Sequence, residues 1–175
     1  MSEIGHPLLR HLYDYWSAKR GGRKLPRRSD IDPVELPAAL WPHLLLQDVH
    51  HENDRVRFRY RVVGQHFQDQ IGRYVTWTYS DIALVPLGSY AHYVIEIFAE
   101  SVRAARPSYS ENIFTPTGQR ATTLTKRLVL PLSGDGGAVD KVLSGHVFEY
   151  PRDDHVQFGS GVAEFHELLR VMLPL

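Results

Sequence analysis

Over residues 55–62 apolar and arginine side chains alternate one for one, Arg-Val-Arg-Phe-Arg-Tyr-Arg-Val. A repeat of two matches the pleat of a half-buried β-strand and no helix. Val56, Phe58, Tyr60 and Val62 are therefore expected to face a core, and Arg55, Arg57, Arg59 and Arg61 the opposite side. Upstream the repeat is helical: Leu8, Leu9, Leu12, Tyr13 and Trp16 predict an amphipathic helix over 6–19, stopped by Gly21-Gly22. Asp32-Pro33 predicts a capped short helix, curtailed by Pro37 and Pro42. The apolar run over 44–49 reads as a strand, and the polar residues 50–54 join it to the arginine strand as a hairpin. Over 64–86 no period persists, and Gly72, Thr76, Ser80 and Pro86 divide the segment into short helical pieces and loops. A long helix follows over 88–105, with Tyr90, Tyr93, Val94, Ile97, Phe98 and Val102 on one face, and Pro107 forbids its continuation. Strands over 109–114, 121–132 and 139–150, separated by Pro116-Thr117-Gly118 and Gly134-Asp135-Gly136-Gly137, read as an antiparallel meander. Phe165, Leu168, Leu169 and Met172 stand at i, i+3, i+4 and i+7, predicting a short closing helix over 162–172.

A chain of 175 residues is long enough to bury a core without staples. The expected organisation is an amino-terminal helix and basic connector over 1–28, a domain over 29–150 and a helical tail over 151–175. Twenty basic residues balance twenty acidic ones, so no global charge draws the chain to nucleic acid or an anionic membrane. The absence of cysteine excludes disulfides, thiolate nucleophiles, thiolate zinc sites, Fe–S clusters and thioether-attached cofactors. No apolar run reaches the ~18 residues of a membrane span, and the polar amino terminus does not read as a secretory signal. A cytoplasmic protein is expected.

The order of elements, two strands, a helical insertion ending in a long helix, then three antiparallel strands, is that of a PAS domain. The local residues add to it: Arg27-Arg28-Ser29-Asp30-Ile31-Asp32-Pro33 leading to Leu44-Leu45-Leu46-Gln47-Asp48-Val49, then Phe58-Arg59-Tyr60-Arg61-Val62-Val63-Gly64, Ile71-Gly72-Arg73, and Leu130-Pro131-Leu132-Ser133. Together they resemble a family of bacterial single-domain PAS proteins with a similar leading helix and Gly-Gly-Arg connector. The resemblance implies an α+β fold: a five-stranded antiparallel sheet facing the helical insertion, here with an amphipathic amino-terminal helix and a short carboxy-terminal helix. It implies a sensory or adaptor module in bacterial signal transduction, and no enzyme. No cofactor is assigned. Photochemistry that needs a reactive cysteine is excluded; where PAS relatives hold haem through a histidine near the long helix, His92 and His66 are the positions to compare.

If the sheet and insertion face each other, a pocket is expected from Phe58 and Tyr60, from Phe67, Trp77 and Tyr79, and from Tyr90 and Tyr93, with His66 and His146 as its polar groups. Aromatic walls with sparse polar atoms suit a flat or amphiphilic small molecule; the same rings also serve as plain core. Four arginines on one strand face repel one another unless acids answer them, which makes Arg57 and Arg59 a surface for an acidic signalling partner or a second copy. The stripe of Leu8, Leu12 and Trp16 is the other homodimer surface, against packing on its own sheet.

Enzyme motifs fail on inspection. His166-Glu167-Leu168-Leu169-Arg170 begins like a zinc-protease helix but has Arg170 at the second ligand position. Gly159-Ser160-Gly161 lacks the frame of a nucleophile elbow, Gly134-Asp135-Gly136-Gly137 lacks the Lys and Ser/Thr of a phosphate loop, and Asp153-Asp154 reads as a solvated loop. Two alternatives stay open: a small isomerase- or hydratase-type enzyme acting on a pocket-bound molecule, and anion or nucleic-acid binding through the basic connector at 19–28, which has no aromatic for base stacking.

Overall fold

Helix α1 (Pro7–Lys19) opens a chain whose computed structural model describes residues 3–134, 137–150 and 161–175. Three short 3-10 turns lead to strands β1 (Leu44–Glu52) and β2 (Arg55–Val63), a hairpin closed at Asn53 with φ 52°. Among those turns, Pro33–Glu35 is capped as its sequence predicts, the Asp32 side chain accepting from the Val34 amide. The insertion holds α2 (Gln65–Ile71), α3 (Ser80–Ala83) and the long α4 (Ser89–Ala104). Strands β3 (Ser108–Pro116), β4 (Thr123–Leu132) and β5 (Lys141–Glu149) make the meander, and β6 (Val162–Met172) closes the chain. All neighbouring pairs are antiparallel, in the order β2-β1-β5-β4-β3-β6.

The sheet has two covered faces. On one, Leu9, Leu12 and Trp16 of α1 are fully buried against β4 and β5. Gly145 on β5 permits that approach: a Cβ there would lie 2.6 Å from a Leu9 methyl and 3.0 Å from a Leu12 methyl. The Trp16 indole donates to the Pro131 carbonyl at 3.0 Å, which satisfies its one polar atom. On the other face α4 lies across β3, β4 and β6, and Phe98 meets Phe58 edge to face. The insertion starts at Gly64, where a Cβ would fall 2.4 Å from the Pro42 carbonyl oxygen, so only glycine lets β2 pass this close before α2.

Four sequence expectations need correction. The closing segment is a strand and not a helix: β6 pairs with β3, making the sheet six-stranded. Its register slips between Glu111 and Asn112, leaving Leu168 as an extra residue. That bulge reverses the phase of the alternation, so apolar residues take a spacing that imitates a helical face. A similar slip on β2 leaves Arg61 unpaired in the register, and Val62 turns away from the insertion and is 52% exposed. Leu12 and Trp16 are consumed by their own sheet, with Leu8 half-buried beside them, so the stripe is core and no dimer surface.

Three of the four arginines, Arg57, Arg59 and Arg61, are answered within the chain, which is the fourth correction. Asp48 on β1 pairs with Arg59 at 3.2 Å, Arg61 at 3.4 Å and Lys141 at 3.2 Å. Burial alone pushes its carboxyl up, but hydrogen bonds from Arg59 and Lys141 and the charges of Lys141 and Arg61 outweigh that and hold it below the usual range. Arg57 pairs with Asp81 at 3.0 Å and Glu52 at 3.5 Å. The segment before α3 crosses the β2 edge, the Tyr60 amide donating to the Thr78 carbonyl and the Trp77 amide to the Tyr60 carbonyl. It lays Tyr79 3.9 Å from the Arg57 guanidinium and Trp77 4.1 Å from that of Arg61, geometry that favours cation–π attraction.

Candidate functional site

Two networks of polar side chains meet beneath α4. Because β3, β4 and β5 alternate, Ser108, Ser110 and Asn112 share a face with Thr125 and Arg127 and with Ser144 and His146. All seven are buried, Arg127 at 2% exposure. Alternating polar residues on an antiparallel strand ordinarily mark its wet side; here a helix covers them.

At the β1 and β2 end the wall becomes aromatic. Leu45, Gln47, Phe58, Tyr60, Phe67, Ser80, Leu84, Val94, Ile95, Phe98 and His146 surround a cavity of about 10 Å³, the size of one water. Gln47 donates to Ser80 at 2.8 Å, and its own carbonyl oxygen finds no partner among the described residues. His146 sits among the rings of Phe67, Phe98 and Phe148, its Nε2 3.1 Å from the Ser144 hydroxyl and its Nδ1 unpartnered. Burial, then the charges of Arg127 and His43, hold its pKa well below the imidazole value, so the ring is neutral. Burial likewise pushes the Tyr60 hydroxyl up to about 12.

At the β3 and β6 end the Arg127 guanidinium reaches the Ser110 hydroxyl at 3.3 Å and the Tyr90 hydroxyl at 3.4 Å, and its Nε meets no acceptor. Asn112 donates to the Tyr90 oxygen at 3.1 Å. Tyr90 and Tyr93 pack with Phe165 of β6, ring centroids 5.2 and 4.9 Å apart, and Tyr90 also meets Phe114.

The expected pocket residues thus divide. Phe58, Tyr60, Phe67 and His146 line one enclosed space, and Tyr90 and Tyr93 border the adjoining polar patch. Trp77 and Tyr79 lie outside, on the arginine face. His66 is exposed, edge-on to His43 and 3.3 Å from its Nδ1. His92 is exposed and borders a polar cleft with Arg55, Arg57 and Glu96. Neither imidazole enters the enclosed space, so the residues do not fit axial ligation of a haem under α4. The described residues contain no cluster of three His, Cys, Asp or Glu able to hold a metal ion.

Sequence reasoning missed Arg127, Ser110, Asn112, Thr125, Ser144 and Gln47. Their signal was present in the alternation Thr123, Thr125, Arg127 and Ser108, Ser110, Asn112, since a helix with the apolar face of α4 must cover some sheet face. The basic connector is engaged locally: Lys19 with Glu35, Arg23 with Asp30, and Arg28 donating to the Ile31 carbonyl. The stretches at 135–136 and 151–160, with the turn and loop readings made on Gly134-Asp135-Gly136-Gly137, Asp153-Asp154 and Gly159-Ser160-Gly161, lie wholly or partly outside the described residues. On the α1 side, Ile31, Pro33, Leu36, Trp41, Leu46 and Val62 line a shallow apolar groove of about 260 Å³.

Among the described residues no helix is long and apolar enough to cross a membrane. A family model described as a PAS domain matches residues 4–145. No curated protein and no solved structure matches the chain.

Proposed function

The chain belongs to the PAS domain family, whose members are in general sensory and signalling modules, and from that premise we propose that it binds a small molecule between α4 and the sheet. The observation that carries the reading is the aromatic cavity whose wall holds the unpartnered Gln47 Oε1 and His146 Nδ1, with the unpartnered Thr125 Oγ1 and Arg127 Nε on the adjoining strand positions of the same sheet face. Burying polar atoms without partners costs free energy that folding does not return; a ligand supplying those partners does. The protein works in a bacterial cytoplasm as a homodimer and passes ligand occupancy to a signalling partner. Its pairing surface lies elsewhere than the α1 stripe; the groove at Trp41 and Val62, both half exposed or more, supports that placement.

Among the described residues the cavity wall carries His146 but no carboxylate opposite it, which leaves the isomerase or hydratase reading second. Native mass spectrometry of freshly purified protein, with an absorption spectrum of the same sample, tests the proposal. An added mass that disappears on denaturation is expected; a ligand-free mass, together with no stabilisation by any compound of a metabolite panel, contradicts it.

A further inference from the structure

Arg127 is the charged feature under α4 that ordinary core packing does not explain. Its guanidinium is 2% exposed, and no carboxylate pairs with it among the described residues. Its acceptors are two neutral hydroxyls at 3.3 and 3.4 Å, beyond the usual range for a charged donor, and Nε has none. Elsewhere in the sheet less deeply buried arginines have acids: Arg57 has Asp81, Arg59 and Arg61 have Asp48, and Arg170 has Glu100 and Glu167. An arginine stays ionised at any physiological pH, so a buried one requires an anion.

We propose that the ligand is a small monocarboxylate with an aromatic or otherwise apolar body, its carboxylate held by Arg127. The inference rests on the pocket reading above and adds the ligand's charge. A guanidinium offers a planar fork that matches a carboxylate in two parallel hydrogen bonds. Thr125 Oγ1 and His146 Nδ1, both buried and without partners, lie on the strand positions flanking Arg127. One unanswered cation selects a single negative charge. The walls beyond it, Phe58, Phe67 and Phe98, select the apolar body. The present space admits one water, so α4 must move off the sheet to admit the ligand, and the polar surface beneath it is what makes that separation cheap compared with parting two apolar faces.

The test uses benzoate against its neutral isostere benzamide, read by thermal unfolding and calorimetric titration on the full chain and on Arg127→Met. Benzoate is expected to raise the melting temperature and to bind wild type at least tenfold more tightly than benzamide, and Arg127→Met to lose that preference. Removing an unanswered cation leaves the variant at least as stable as wild type, so its folding is secure. Equal binding of the two probes overturns the anion and keeps the pocket, since the site then takes a neutral molecule. Binding of neither, alongside a ligand-free native mass, overturns both. A preference for benzoate retained by Arg127→Met, or a melting temperature that falls by several degrees in that variant, also overturns the inference.

Discussion

The two faces of β4 and β5 are built from the same strands and have opposite chemistry. Toward α1 they present Leu128, Leu130, Leu143, Gly145 and Val147; toward α4 they present Thr125, Arg127, Ser144 and His146. The first face meets Leu9, Leu12 and Trp16, and the only polar atom introduced, the indole N–H, is satisfied. Beneath α4, three of those four side chains carry a nitrogen or oxygen with no partner among the described residues. Both faces are equally buried, so burial does not distinguish them; the strand side chains do, apolar toward α1 and carrying unpartnered polar atoms toward α4. The unpartnered His6 Nδ1 and Arg10 Nε on the α1 side belong to the helix segment and not to the sheet. A fold tolerates one face that costs free energy only if another holds the structure. The α1 face serves the structure, which leaves the α4 face free for the proposed ligand.

Substitutions on the two sides should therefore differ in size. Trp16→Ala removes a fully buried ring and its hydrogen bond and is expected to cost about 3–5 kcal/mol. Urea unfolding followed by fluorescence measures it, and a loss below about 1 kcal/mol would break the assignment of structural weight to α1. The next effect is pH dependence from the α4 side. Folding holds the His146 pKa well below 6.5 by burial first and then by the charges of Arg127 and His43. The unfolded chain takes up a proton as pH falls through that value and the folded chain does not. Stability present above pH 6.5 is thus lost progressively as pH falls below 6.5. Comparing wild type with His146→Gln isolates that share, and identical pH slopes would remove His146 from the account. Smallest is Ser110→Ala, which deletes one long hydrogen bond to Arg127; a change within about 1 kcal/mol in the ligand-free protein is expected, against a clear loss of ligand affinity by titration.

What the sequence revealed follows from what each pattern depends on. The hairpin, the long helix and the meander rest on local period and turn residues, and they fall where residues 44–54, 88–105 and 109–150 place them, within a few positions. The closing strand was hidden because the Leu168 bulge put Phe165 and Arg170 on one face, five residues apart, a spacing no strand template contains. The arginine face looked unanswered because Asp48 and Asp81 belong to other elements and reach it only through β1–β2 pairing and the crossing of the β2 edge. The pocket aromatics Phe58 and Tyr60 were legible as apolar members of a periodic strand, and Phe67 only as an aromatic in the insertion. Arg127 was not, because its side chain follows the rule for a solvent-facing strand position and only the three-dimensional seat of α4 reverses that meaning.

Hydrogen exchange on the ligand-free protein, resolved by segment, tests the division of the two faces most directly. Ligand-admitting elements open at a free energy below that of global unfolding. The account predicts that amides in the middle of α4 exchange through such a partial opening, that those of α1 and β4 exchange only on global unfolding, and that bound ligand brings α4 to the level of α1. Equal protection of both helices in the ligand-free chain, unchanged by any ligand, would contradict it.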